Sequence, residues 1–362
     1  MSVFESEGVQ KALSFLALAV FGRLIKSRFS KPMVAGVQKL ILDGMLPCVI
    51  FKALCSIKLD ASLLKWPAMG AAFVAAQVIC CSLAAGCVFP GAALASPRRT
   101  AVAQLGTSAP GLSAMVFVKE FVGDHAAGYA ALFDLPTKLY LIFALPKLLR
   151  VLGDAPAEGG TAPPPTSALS LLKDPLNVSI VGGLAVALTG TPFSDLAFVG
   201  KAVTALAAAQ TPVLFLLIGM KLKFEGATPA ACVVLLSARH AANYAFFAAA
   251  VAALGLAGDD ALTALLMVQA AVSVVGWSQM AKASEAGVSG YNLDFAFDVV
   301  GYSMPLTMLL QTVACLADRD AALRLAASVA PVAFAAAFLL GFLAIKASAQ
   351  DPANWAPPKK SD

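Results

Sequence analysis

Charge is what this chain has least of. Of 362 residues only 13% are Asp, Glu, Lys or Arg, while 59% are hydrophobic and the mean hydropathy is +0.81. A soluble domain carries about 25% charged residues and roughly 45–50% apolar ones. The composition therefore excludes an ordinary water-soluble globular chain. Histidine is nearly absent, with His125 and His240 alone, so no His-Glu-x-x-His zinc motif is present. No Gly-x-x-x-x-Gly-Lys-Ser/Thr phosphate loop occurs either, which removes an ATP-driven pump. The seven cysteines (48, 55, 80, 81, 87, 232 and 315) all fall in apolar segments and read as small packing residues, not a disulfide or zinc framework. The opening "MSVFESEGVQ" places two glutamates before the first apolar run. It lacks the basic leader and cleavage site of a signal peptide and the Arg- and Ser-rich look of a transit peptide.

What the chain does have is long apolar runs, each of about 20 residues and enough to cross about 30 Å of hydrocarbon. A transmembrane barrel would instead show alternating segments of about 10 residues. The expectation is an all-α polytopic membrane protein with eleven spans, centred near residues 17, 48, 78, 110, 138, 182, 211, 242, 270, 305 and 335. "GDAPAEGGTAPPPTS" (153–167) reads as a flexible linker and "DPANWAPPKKSD" as a disordered tail.

Lys52, Lys138 and Arg239 lie inside spans; the other Lys and Arg residues divide 16 to 7 between the two sides. By the positive-inside rule the N-terminus is extracytoplasmic, and the long linker and C-terminus are cytoplasmic. The net charge of +5 is thus an orientation signal and gives no reason to expect nucleic acid.

Parts of the chain repeat. "FDLPTKLY" in span five is echoed by "FDVVGYSMP" in span ten, setting Asp134 against Asp298 at an offset of 164. "PCVIFKALCSIKLD" in span two is echoed by "PVLFLLIGMKLKFE" in span seven, where Pro47, Lys58 and Asp60 match Pro212, Lys223 and Glu225 at 165. Five spans per copy, an odd number, put the second copy in the membrane upside down, as in many secondary transporters. The domain reading follows: residues 1–150 and 169–317 as inverted repeats, 151–168 as a cytoplasmic linker, 318–347 as an additional helix and 348–362 as the tail.

"PVLFLLIGMKL" (212–222) resembles the Pro-x-x-x-Leu-x-Ile-Gly-x-x-Leu segment of the auxin efflux carrier family, the PIN and PIN-like carriers. "KDPLNVSIVGGL" (173–184) is similar to that family's opening of the second repeat, and "LPCVIFKAL" (46–54) to its second helix. The resemblance covers about residues 9–317. It implies a ten-helix fold like that of bile acid–sodium symporters, with a transport domain moving against a scaffold and two broken helices crossing at the site. Spans four, "GTSAPGLSA" (106–114), and nine, "QAAVSVVGWSQ" (269–279), would be the crossing helices. Ala109 stands where the family usually has Asn, and Val272–Ser273 where it has Pro, so the resemblance carries the fold and not the substrate. The eleventh span is extra to the family's ten.

A broken helix leaves backbone N–H groups unpaired at an interior N-terminal end, with positive partial charge. Pro110 and Gly111 can break span four, and Thr107, Ser108 and Ser113 offer hydroxyls there. Ser273, Gly276, Ser278 and Gln279 hold the corresponding stretch of span nine. The alternative for both groups is ordinary helix–helix packing. Asp134 and Lys138, at i and i+4, can pair on one face. Asp298 has Tyr302 instead of a base at i+4, and is read as the proton-exchanging member of the two acids. Arg239, His240 and Asn243 make a polar patch in span eight; Arg239 could pair Asp298, receive an anion, or snorkel to the interface. Asp43 and Lys52 read as scaffold features, and Gln77, Gln104 and Gln210 as interhelical hydrogen bonders.

Together these features favour an efflux-type secondary carrier for a small organic anion, auxin-like or another carboxylate, because intramembrane cations and helix-end dipoles suit negative charge. The competing reading is a membrane sensor or receptor that binds a lipid or sterol without moving it. An enzyme is not expected: the Gly-x-Gly-Asp segment of aspartyl intramembrane proteases is missing. No cofactor or metal is implied. The expected partners are the anion, the bilayer (plasma membrane or an endomembrane) and, as an open arrangement, a second copy in a homodimer.

Overall fold

The computed structural model describes residues 7–57, 61–91, 95–106, 112–145, 147–148, 174–221, 229–255, 260–272, 293–316 and 319–347. No strand occurs among the described residues, and the fold is all-helical. Among the described residues seven helices are long and apolar enough to cross a membrane, so the chain is a multi-pass integral membrane protein.

The helices in chain order are α1 (Glu7–Ile25), α2 (Lys31–Leu40), α3 (Leu46–Cys55), α4 (Lys65–Val88), α5 (Ala95–Leu105), α6 (Leu112–Phe117) and α7 (Asp124–Leu139). They continue with α8 (Pro175–Thr189), α9 (Ala197–Lys221), α10 (Pro229–Leu254), α11 (Asp260–Ala271), α12 (Leu293–Leu316), α13 (Arg319–Arg324) and α14 (Ala330–Ala347). Long spans sit at six expected centres, near 17, 48, 78, 211, 242 and 305, and at the extra one near 335. At the other four the helices are short: α5 and α6 near 110, α7 near 138, α8 near 182 and α11 near 270.

Local sequence explains several ends and irregularities. Ser30 caps α2 by accepting from the Met33 N–H at 3.4 Å, with Pro32 in the first turn where its missing donor costs nothing. Asp174 caps α8 by accepting from the Leu176 N–H at 3.0 Å, and Gly190, at φ 68°, ends it in the left-handed region. Between α2 and α3 the helix widens to a π turn over Ile41–Met45. Pro47, two residues after its end, cannot donate to the preceding turn, so the i to i+5 pattern there has an evident cause.

The described residues form two compact units interleaved in the chain. Unit 1 is Met1–Ala68, Leu112–Phe133 and Thr166–Leu222; unit 2 is Met69–Gly111, Asp134–Pro165 and Lys223–Asp362. Neither coincides with the halves 1–150 and 169–317, because each takes segments from both.

In unit 1, α1 packs along α9 and α3 packs along α8 and α9. The α1–α9 seam is a backbone contact. A Cβ at Gly219 would lie 2.8 Å from the Ala19 carbonyl carbon and 2.9 Å from the Arg23 nitrogen, and one at Gly22 would lie 2.9 Å from the Leu216 Cα. Only glycine allows this approach. Beside it Phe15 stacks on Phe215 (centroids 4.3 Å, planes 13° apart) and meets Phe117 edge-on at 5.6 Å. The Ile218–Gly219 pair thus has a packing reason.

In unit 2, α10 is the central element and touches α5, α11, α12 and α14. The additional helix α14 lies along α10, and none of its most apolar stretch is buried within the protein, as suits a helix turned to lipid.

Candidate functional site at the ends of two half-length helices

The buried polar groups are unevenly shared. Among the described residues, 17 polar or charged side chains are buried; 14 belong to unit 2, and Ser179, Gln210 and Thr211 are the three in unit 1. Each polar group in hydrocarbon costs free energy unless it is paired, so such a concentration needs a structural or functional reason.

Helices α5 and α11 supply one. With 11 and 12 residues they are about 17 Å long, roughly half a bilayer. Their C-terminal carbonyls have no intrahelical partner and carry negative partial charge. Side chains of α4 and α10 answer them. The Arg239 guanidinium, fully buried, donates through Nη1 to the Leu105 carbonyl and through Nη2 to the Val272 carbonyl at 3.4 Å. Asn243 Nδ2 donates to the carbonyls of Ala270 at 3.1 Å and Val272 at 3.3 Å. Gln77 Nε2 donates to Asn243 Oδ1 at 2.6 Å, which fixes the amide so that its nitrogen faces the helix end. Cys81 Sγ adds a weak donor to the Leu105 carbonyl at 3.3 Å. One buried network therefore serves the ends of both short helices.

Two glutamines stand beside it. Gln104 and Gln269, each fully buried, are 165 residues apart, the offset that relates Pro47 to Pro212. Each lies within a few residues of its helix end. The Gln269 amide has no hydrogen-bond partner among the described residues.

His240, next to Arg239, is fully buried and stacks obliquely on Phe334 of α14 at 5.0 Å, while Tyr244 lies parallel to Phe334 at 5.7 Å. The additional helix is thus part of the packing around α10.

The residues expected from sequence fall in three groups. Thr107, Ser108, Pro110 and Gly111, and Ser273, Gly276, Ser278 and Gln279, lie outside the described residues. Ser113 is in α6, but its side chain is likewise outside them. Arg239 is described, and it does not snorkel: its head group is in the interior of unit 2, on backbone carbonyls. Asp134 and Lys138 form the expected i, i+4 pair on α7, at 3.9 Å, with the acid buried and the base half-buried. Asp298 is half-buried on α12.

Sequence reasoning missed the pairing of Gln77 with Asn243 and the service of Arg239 to two helix ends. The shared offset of Gln104 and Gln269 was a signal that could have drawn attention to those ends. The chain matches no protein-family model and no curated protein.

Proposed function

We propose that the chain is a secondary-active carrier for a small organic anion, of the kind the auxin efflux carrier resemblance implies. The observation that carries this reading is the buried network in unit 2, where Arg239 and Asn243 hold the C-terminal ends of two half-length helices together. Paired broken helices at mid-membrane are how many secondary transporters build a substrate site. In this reading the N-terminal ends that follow, around Pro110–Gly111 and Ser273–Gln279, present backbone donors to a carboxylate. Arg239 then positions the helices and does not itself contact the ligand.

The packing of unit 1 supports inverted repeats. Exchanging the copies at the offset of 165 turns Gly219 into Leu54 and Ala19 into residue 184. Gly219 is pressed against Ala19, and Leu54 is pressed against Gly183, whose added Cβ would lie 2.8 Å from the Leu54 Cβ. The two contacts agree to one residue. Likewise α1–α9 and α3–α8 are the packing pairs that such an exchange interchanges, while α3–α9 maps onto itself.

The composition of the units supports a division of labour. Unit 1 collects spans one, two, six and seven together with residues 112–133, and unit 2 collects spans three, eight and ten, the first parts of four and nine, and the added eleventh span. Unit 1 is then the scaffold and unit 2, with its polar interior, the transport domain. An N-terminus outside and a C-terminus in the cytoplasm follow from the basic residues.

A thermal-stability series of purified protein against carboxylates, indoles and sterols tests the reading, because a ligand that favours the folded state raises its apparent stability. A carboxylate that stabilises the protein and crosses vesicle membranes only with it supports the carrier. Stabilisation by a sterol or lipid, with no flux of any compound, would transfer the case to the sensor.

A further inference from the structure

We propose that the corner of unit 1 where α2 begins and α1 and α9 end is a binding site for a lipid whose headgroup carries several phosphates, a phosphoinositide in chemical class. The inference goes beyond the carrier reading and does not depend on it.

Charge is scarce in this chain, and here it is concentrated in one sign. No acidic residue occurs between Gly8 and Leu42, whereas Arg23, Lys26, Arg28, Lys31 and Lys39 do. The fold adds a further cation. Phe15 stacks on Phe215 and Ala19 faces Gly219, so α1 and α9 run in the same direction and their C-terminal ends emerge together. Lys221, the last residue of α9, donates from Nζ to Gln38 Oε1 of α2. That bond sets the level of α2. The end of a helix long enough to span the bilayer marks the membrane edge, so the turns of α2 before Gln38 lie in the headgroup layer. In the orientation that the basic residues give, this layer is the cytoplasmic one.

Helix α2 has no buried residue, unlike α3, which follows it. Its register divides it lengthwise. Met33, Val34, Val37 and Leu40 share one arc, and Lys31, Ala35, Gln38 and Lys39 the opposite one. Lys31 and Lys39, both exposed, stand about 12 Å apart along the axis. Ala35 lies between them, and beside it a Cβ at Gly36 would have nothing within 4 Å. The polar arc is thus a low floor with a cation at one end and two, Lys39 and Lys221, toward the other. A headgroup with one charge meets one end; a ring bearing several phosphates meets both.

The apolar arc selects a lipid over a free phosphorylated sugar. Met33 and Leu40 are each 52% exposed, and Leu24 near the end of α1 is 72% exposed. These side chains flank the cations at the level where the acyl chains of the same molecule begin. Basic residues at a membrane edge collect anionic lipid in general; the spacing on α2 is what selects the headgroup.

The probe is dioctanoyl phosphatidylinositol bisphosphate, added to the purified full-length protein in a neutral detergent, with the melting midpoint as the readout. Dioctanoyl phosphatidylserine at the same total charge and chain-free inositol trisphosphate are the comparisons. The wild type is expected to gain about 3 °C at roughly tenfold the dissociation constant of the bisphosphate lipid, and clearly less with either comparison. Lys31→Gln combined with Lys39→Gln should melt as the wild type does without lipid, and need about tenfold more lipid for the same gain. Lys201→Gln removes an exposed cation from the opposite end of α9 and should respond as the wild type. An equal gain from phosphatidylserine would overturn the inference, because any basic surface gives that result. An equal gain from inositol trisphosphate would refute a lipid as the occupant. An undiminished response in the double variant, or no gain with the bisphosphate lipid at all, would remove the site from this corner. The three-ligand comparison on the wild type decides the matter where the double variant does not purify.

Discussion

Replacing Gly219 by alanine puts a methyl group where α1 leaves no room. The new Cβ would lie 2.8 Å from the Ala19 carbonyl carbon and 2.9 Å from the Arg23 nitrogen, whereas ordinary contact begins near 3.4 Å. All of these atoms are backbone, so no side chain can rotate away and the helices must part by at least 0.6 Å. A gap of about 0.5–1 Å forfeits a quarter to a half of the dispersion energy of each facing contact. The seam includes the Phe15–Phe215 stack. Overpacking of this sort costs about 1–3 kcal/mol, and rigid backbone neighbours place it at the upper end. Alanine returns up to about 1 kcal/mol as the better helix former, leaving a net loss of roughly 2 kcal/mol. On the scale of a few degrees per kcal/mol, the melting midpoint should fall by about 4–8 °C. Gly36→Ala is the matched control, since nothing lies within 4 Å of its added Cβ. It should hold or raise the midpoint, by up to about 1 kcal/mol of helix propensity. Equal midpoints for the two variants would refute the claim that a close α1–α9 seam organises unit 1.

Three further outcomes are expected. Asn243→Leu leaves the Ala270 carbonyl and the Gln77 amide without their partner and should cost about 1–3 kcal/mol. A second change, Gln77→Leu, should then cost much less than it does alone, and additive losses in a double-mutant cycle of melting midpoints would show that the two amides do not act as a unit. Asp134→Asn strands Lys138 and should cost roughly 3 kcal/mol, the low end for a broken buried pair because the contact is 3.9 Å long. Exchanging the two residues should recover part of that loss in denaturation measurements if pairing is what matters. In a background cleared of the seven native cysteines, Gly160→Cys should react with an impermeant thiol reagent from the cytoplasm and Glu5→Cys from the opposite side; labelling of both from one side would contradict the five-span halves.

Much of the architecture was legible because a membrane simplifies the code. Apolar runs of about 20 residues have one common explanation, so the long spans α4, α9, α10 and α12 lie where hydropathy puts them. The short ones were harder to read. Pro110 and Gly111 mark a break in span four, but hydropathy does not show that α5 ends already at Leu105, since the signal for an end lies in one or two residues. The site was legible only at its charged member. Arg239 drew attention as an intramembrane cation, but its partners are backbone carbonyls, which every residue has and no residue type announces. Gln77 and Asn243 are 166 residues apart, and only the tertiary fold makes them neighbours. Gly219 was noticed for its place in a motif; the reason for it, the Ala19 backbone, belongs to another helix.

The proposed movement of an anion is measured most directly as charge movement in sealed vesicles holding the purified protein, with a stabilising carboxylate on one side and an imposed membrane potential. A carrier of the kind proposed gives a current that needs both protein and carboxylate and reverses with the potential. A carboxylate that binds and stabilises the protein yet produces neither current nor uptake at either polarity would contradict it.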